Sequence, residues 1–549
     1  MYDPEGVKIG IGAGNHTYVR AHPRRPTSLP RTASSSSSVL PLSMSRRLVS
    51  AVAFCALGVL MGLVLASGTS GGWMDLRGGG AGGGMETCVA HFTSGGAENL
   101  KAGVVTERWT RTETRTETRT VHAVPTGTPS GEMDLTALVN GPPSAAFKDN
   151  LREGVQYITG WPGSGWTNDV ILFMNLLYLA KITDRVAVLT YFTPTHIGGN
   201  APTINFGEVY DVPRLERAMG MRILEWHQVK DPKSEVVDTM GCWSVWKAVQ
   251  TFNTEPHFTS ATTRLKLDVS YTTAPRFIKV LPEHDSDPHA SFWSLASLAF
   301  PETRAANLQP PTLSPIHQVA LPPDEQMLCF DYLYYVGASN TYEWEADYSP
   351  AWRFAGQYMH WTEKLINLAE RYVREALVVA PYTPDTPPYI AVHVRHGDFA
   401  GWCQVPLKEC FAPLSAFARR VDEVQEEIWE KKKIVVDRVI VTSDEQDPVW
   451  WEAVNDLGWV RPDHSETAAI HGAWYPILID AAIQSGAAGF VGTDRSTVSI
   501  MAKRRVESWN NGPTRMVRWG HRRCRQSLVH FSTFVYLRTF TVVEFRTRP

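Results

Sequence analysis

From about residue 146 onward, apolar positions fall into short blocks whose spacing predicts alternating strands and helices. Residues 155–159 read as a short strand, and a glycine-rich turn, WPGSGWTND, follows from Trp161 to Asp169. Residues 170–182 are apolar nearly all round and built of Ala, Leu and Met rather than β-branched residues, which predicts a buried helix. RVAVLTY, at 185–191, is then a strand. Strand, turn, helix and strand make one parallel βαβ unit. Residues 200–350 are proline-rich and predict no clear element. A helix lies within 352–379, and the four prolines of PYTPDTPP, at 381–388, predict a linker. Beyond it the alternation is regular. Strands are expected at 389–394, 434–442 and 488–491, and helices at 411–432, 449–457, 474–486 and 496–509. This is the pattern of a doubly wound parallel sheet. The expected fold class is therefore α/β, with Rossmann-like halves at 146–385 and 386–520.

The N-terminal part has a different pattern. Leu48 to Ser67 carries no charge, and none follows Arg47 until Asp75. That is about 20 apolar residues, enough to span a bilayer core. Arg46 and Arg47 precede it, with Arg20, Arg24, Arg25 and Arg31 further upstream. The positive-inside rule then predicts a cytosolic tail at 1–47 and a single-pass type II signal-anchor at 48–68. The rest of the chain would lie in the lumen of the Golgi or endoplasmic reticulum. A cleaved signal peptide is the alternative, but the apolar run exceeds a typical signal core. Residues 1–47 are rich in Ser, Pro and Arg, a composition that predicts disorder. Residues 69–145 hold a Gly-rich run and the repeat TRTETRTETRT, with no apolar face to bury. They are expected to form a low-complexity stem. Residues 521–549, Arg-rich and then β-prone, fit no element of this scheme.

Composition narrows the function classes. At 549 residues the chain has room for two to four units at roughly 100–200 residues each. A net charge of −3 does not suggest a nucleic-acid partner. Of seven cysteines, Cys55 lies in the expected span, and the other six would face an oxidising lumen that permits disulfides. Cys403 and Cys410 are the nearest pair. No cysteine spacing matches a zinc site.

Four places carry candidate chemistry. YIAVHVRHGDF, at 389–399, ends a buried strand in His393, Val394 and Arg395. An Arg at a strand's carboxyl end offers a planar fork suited to a pyrophosphate; pairing with Asp398 is the structural alternative. GFVGTDRSTVS, from Gly489, runs from a strand into a helix start, where free amides and the hydroxyls of Ser496 and Thr497 suit an anion. A plain helix cap is the alternative there, and Asp494 would oppose a phosphate unless turned away or offset by Arg495. Asp480 sits among Ile477, Leu478, Ile479, Ala481, Ala482 and Ile483, where a carboxylate is costly unless paired. A guanine edge, with two adjacent donors, would pair it; a polar stripe shared with Gln484 is the alternative. In the turn before the first helix, glycines allow close backbone approach to a ligand, and Asn168 offers a donor and an acceptor. A rival signal is Asp285-Ser286-Asp287, an Asp-x-Asp pattern able to hold a divalent metal on a sugar nucleotide.

GSGWTNDVILFMNLLYLAKITDRVAVL, HVRHGDF and IDAAIQSGAAGFVGTDRSTVS together resemble the protein O-fucosyltransferase family, in the form common among fungal and plant members. The resemblance covers about residues 150–515. It implies a GT-B-like fold with a cleft between the two halves, GDP-fucose as donor substrate, no metal or other cofactor, and inversion at the sugar. Arg395 would grip the pyrophosphate, beside His393. Asp480 would read guanine. Ser496, Thr497 and Val498 would form the phosphate-binding helix start, and Gly165, Trp166, Thr167 and Asn168 the first donor-contacting turn. The acceptor would be a hydroxyl of a protein Ser/Thr or a glycan. Where some members carry a Glu base, this chain has Ser164, and Asp169 stands where Gln or Arg is common. The acceptor proton would then leave late, through Asn168 or a water, or Asp398 would serve as base. The alternatives are a metal-dependent transferase using Asp285 and Asp287, and an inactive relative that binds GDP-sugars.

Overall fold

The computed structural model describes residues 137–198, 201–250 and 255–520. The expected membrane span, the cytosolic tail, most of the stem and residues 521–549 lie outside them. Among the described residues, no helix is long and apolar enough to cross a membrane.

The first half is built on a six-stranded parallel sheet. Its strands are β1 (Tyr157–Gly160), β2 (Val186–Leu189), β3 (Ile223–Glu225), β4 (Asp238–Ser244), β5 (Leu267–Thr273) and β7 (Met327–Phe330), in the order β3-β2-β1-β7-β4-β5. The short strands β6 (Ala290–Ser291) and β8 (Val336–Gly337) pair with each other. β1 and β7 are buried along their whole length, as parallel strands covered on both faces must be. The first long helix, α1 (Trp166–Thr183), is buried nearly all round, which explains its continuous apolar sequence.

The region that predicted no element supplies strands β3 to β8. Its strand ends are fixed by buried carboxylates whose partners are distant in sequence. Asp331, after β7, accepts the Ser244 hydroxyl (2.6 Å) and the amides of Val245 (2.7 Å), Trp246 (3.3 Å) and His257 (3.1 Å). A disulfide, Cys242–Cys329, ties β4 to β7.

The second half is a four-stranded parallel sheet, β10-β9-β11-β12, made of β9 (Tyr389–Val394), β10 (Arg438–Ser443), β11 (Gly489–Thr493) and β12 (Thr514–Val517). Its helices are α3 (Leu414–Lys432), α4 (Pro448–Asp456), α5 (Tyr475–Gly486) and α6 (Thr497–Asn510), and α2 (Glu363–Ala376) precedes the linker. β9 shows period-two patterning. Ile390, Val392 and Val394 pack with Phe417, Val421, Val424 and Ile428 of α3. Tyr389 and Ala391 join the opposite face with Leu478, Ile483 and Ile500. His393 falls in register with that second face. The helix expected from residue 411 starts at Leu414, because Pro413 occupies its cap.

Both halves share one core. α2 precedes the linker in sequence yet packs on α5. The end of the expected stem is also packed: Val139 is buried and bridges Leu151, and the Asn140 side chain donates to the carbonyls of Asp149 and Leu151.

Candidate functional site

In an open parallel sheet, ligands bind at the carboxyl ends of strands where the winding direction changes. In the second half that point is the end of β9, flanked by β10 on one side and β11 on the other. The backbone there is fixed by hydroxyls. Thr493 Oγ1 donates to the His393 carbonyl (3.1 Å) and accepts the Arg395 amide (3.0 Å). Ser499 Oγ accepts the Thr493 amide (3.0 Å) and shares a 2.7 Å hydrogen bond with His393 Nδ1. His393 therefore supports the strand end, and its ring points into the fold. Burial, aided by the Arg395 charge, pushes its pKa down to about 3, so the ring is neutral.

Arg395 is not a free fork. Its Nη2 meets Asp398 Oδ1 at 2.7 Å and its Nη1 meets Asp444 Oδ2 at 2.6 Å. Asp444 Oδ1 in turn accepts the His396 amide (2.8 Å). The pairing with Asp398 is thus present together with a second carboxylate that the sequence did not single out. A guanidinium carries five donors, so donors remain for a ligand. A Cβ on Gly397 would lie 2.1 Å from Asp444 Oδ2, so only glycine lets that carboxylate approach. Gly397→Ala is expected to displace Asp444, loosen Arg395 and lower turnover by up to about 10²-fold, as misplacement by an ångström does. A steady-state kcat within twofold of the parent would overturn this.

Asp480 lines a cavity of about 900 Å³ together with Ser443, Glu445, Arg461 and His464. His464 Nε2 meets Asp480 Oδ1 at 2.8 Å, and His464 Nδ1 meets Thr467 Oγ1 at 3.0 Å. Burial raises the Asp480 carboxyl above its usual range, against the pull of His464. The polar stripe with Gln484 is absent: Gln484 is buried and donates to Thr442 Oγ1 (2.8 Å).

Ser496 caps α6, its Oγ accepting the Ser499 amide (3.4 Å). Thr497 reaches across to the first half, its Oγ1 sharing a 2.7 Å hydrogen bond with Thr167 Oγ1. The two helix starts singled out in the sequence therefore meet. Val498 is half-buried behind them, and Asp494 is held by its backbone, its amide bonding the Val517 carbonyl (2.9 Å).

The first turn is organised from below. Asp169 is fully buried, and its Oδ1 accepts the amides of Gly163 and Ser164, both at 3.1 Å. Burial raises its carboxyl well above the usual range, partly offset by those amides. Asp169 is a support of the turn. Gly165 forms the α1 cap under the ring of His196. Trp166 departs from the expectation of donor contact. Its indole stacks on Trp361 at 6.0 Å and is buried, because the first residue of α1 faces the shared core. Asn168 is half-buried, and its amide nitrogen bonds the Gly165 carbonyl (2.8 Å).

The Asp-x-Asp carboxylates turn to different partners. Asp285 pairs with Arg276 at 2.8 Å, and Asp287 holds the ring and amide of His289 at 2.8 and 3.1 Å. Among the described residues, no group of three or more His, Cys, Asp or Glu side chains could hold a metal ion.

No protein-family model and no curated protein sequence matches the chain. Among solved structures it is similar to POFUT1 in complex with GDP-fucose, at 16% identity and a TM-score of 0.42, over 68% of this chain and 99% of that one. It is similar to NodZ α-1,6-fucosyltransferase co-crystallised with GDP, at 11% identity and a TM-score of 0.33, over 63% and 91%. It is also similar to a mutant of Arabidopsis thaliana FUT1 in complex with GDP, at 12% identity and a TM-score of 0.29, over 67% and 71%.

Sequence reasoning missed Asp444, His464, Thr493 and Ser499. Each acts on a predicted residue from a different element, so no local spacing marks it. The disulfide Cys403–Cys410 joins the nearest pair of cysteines in the sequence, and it closes the short loop between the turn of Asp398 and Phe399 and α3.

Proposed function

We propose that this chain transfers fucose from GDP-fucose to a hydroxyl acceptor, with inversion and without a metal. The motif resemblance suggests the donor, and one observation carries the reading. Asp480 lines the cavity beside the end of β10, Arg395 directly follows β9, and the Ser496–Thr497 helix start follows β11, the strand next to β9. Guanine at Asp480 and a pyrophosphate between Arg395 and the α6 start would fit that order.

The chemistry follows from charge. Cleavage of the sugar–phosphate bond leaves negative charge growing on the pyrophosphate and positive charge on the sugar. Arg395 and the α6 amides face the former, as preorganised donors do in water-poor sites. Each Asp480 oxygen has lone pairs to spare beside His464, so the carboxylate accepts both guanine donors. Asn168 orients the acceptor hydroxyl or a water, and Asp398 positions Arg395. A type II anchor at 48–68, with the catalytic part in the Golgi or endoplasmic reticulum lumen, belongs to the same proposal. The disulfides Cys242–Cys329 and Cys403–Cys410 suit such an oxidising compartment.

The test is thermal stabilisation of the purified protein by GDP, UDP and ADP in EDTA, followed by transfer from labelled GDP-fucose. GDP alone should act, adding about 2.7 kcal/mol at one hundred times its Kd. Equal stabilisation by UDP would overturn the guanine assignment. GDP binding without turnover would leave an inactive relative, and loss of activity in EDTA would favour a metal-dependent enzyme. GDP affinity should also fall on acidification at a pH above the usual carboxylate range, because protonation of Asp480 removes an acceptor. A flat affinity down to the ordinary carboxylate pKa would count against Asp480.

A further inference from the structure

The first half also has a point where its winding changes direction, at the carboxyl ends of β1, β7 and β4, and a different group of side chains gathers there. His257 stacks on Tyr332, with ring centroids 4.1 Å apart and planes at 25°, and the edge of Trp246 closes the stack at 5.0 Å. The segment is tightly docked. The His257 amide donates to Asp331 (3.1 Å), and the Thr259 hydroxyl donates to the Pro162 carbonyl. A Cβ on Gly163 would lie 3.0 Å from the Phe258 carbonyl and 3.3 Å from His257 Cε1. Residues 257–259 are thus pressed against the turn that supplies Asn168.

Between these two anchored neighbours, the ring of Phe258 is 83% exposed. A large apolar ring held out to water on a fixed backbone loses little entropy when something covers it, the property of a binding contact. Burial pushes His257 down to about 4, partly offset by the Phe258 carbonyl, so the imidazole is neutral and can bond a hydroxyl without a charge.

We infer that Phe258 and His257 form the acceptor subsite and that the acceptor is a carbohydrate. The inference rests on the donor reading above and adds the class of acceptor to it. A sugar ring presents an apolar C–H face to Phe258 and hydroxyls to the neutral imidazole. The Thr167–Thr497 contact places this edge of the first half beside the start of α6. In the transfer step the acceptor oxygen bonds the anomeric carbon, the bond from that carbon to the phosphate oxygen breaks, and GDP departs. The hydroxyl proton passes to solvent water.

The test is fucose transfer by the whole protein to defined oligosaccharides and to Ser/Thr-containing peptides, with F258A, F258W and H257A beside the unaltered chain. Oligosaccharides should be fucosylated. F258A should raise the acceptor KM about 10-fold, the scale of one lost ring contact, and F258W should restore it. GDP stabilisation should stay unchanged in F258A, and H257A should raise the acceptor KM in the same way. An unaltered acceptor KM in F258A, or transfer to peptides alone, overturns the inference and leaves the donor reading standing. Absence of GDP stabilisation in the unaltered protein overturns both.

Discussion

Arg395→Ala should lower fucose transfer by about 10²–10³-fold, the loss expected when one donor aimed at developing charge is removed. The protein should stay folded. The side chain is about a quarter exposed, and both its carboxylate partners reach solvent. Exposed or half-exposed ion pairs contribute little to stability. Arg395→Lys should recover little activity, because an ammonium cannot span Asp398, Asp444 and a phosphate with a planar fork. Turnover measured with saturating donor separates the outcomes. Transfer by Arg395→Ala within a few-fold of the parent would remove this residue from the mechanism, as would unfolding as the sole cause of the loss.

The second large effect is on stability. Arg505 of α6 is buried against the first half. Its Nη2 donates to the Tyr210 hydroxyl (2.9 Å), and its guanidinium lies 4.2 Å over Trp361 and 5.6 Å over Trp509. Arg505→Ala removes these ring contacts and opens a cavity among three aromatic rings, a combined loss of about 3 kcal/mol. Arg505→Met refills the volume without a buried charge and should regain most of that stability. Urea midpoints at constant m-value measure both variants. If Arg505→Ala unfolds at the parent's urea concentration, the contact is not a source of stability.

The legible parts of this chain are those where one local rule decides. β9 is an apolar run interrupted only by His393 and begins and ends where the pattern places it, at Tyr389 and Val394. α1 is readable because a helix buried all round needs no phase. The proline-rich middle resisted because its order comes from contacts between distant residues. Asp268, for example, holds the amides of Ile316 and His317 and the Ser314 hydroxyl some fifty positions away. The same reason divides the site. Arg395, Asp480, Ser496 and Thr497 sit in motifs. Asp444 and His464, which hold the first two, follow a strand and a loop of ordinary sequence. Trp166 misled because a residue inside a motif was read as facing the ligand, whereas its position at the start of α1 turns the indole into the core.

The arrangement of α6 limits how this protein can breathe. Its first residue touches Thr167, and its later turns drive Arg504 against Asp347 and Trp352 and Arg505 under Trp361. One rod therefore both starts at the end of β11 and is riveted into the opposite lobe. Hinged swinging of the lobes would tear out two buried cations, so under the proposed transfer spent nucleotide would have to leave past surface loops while the lobes stay clasped.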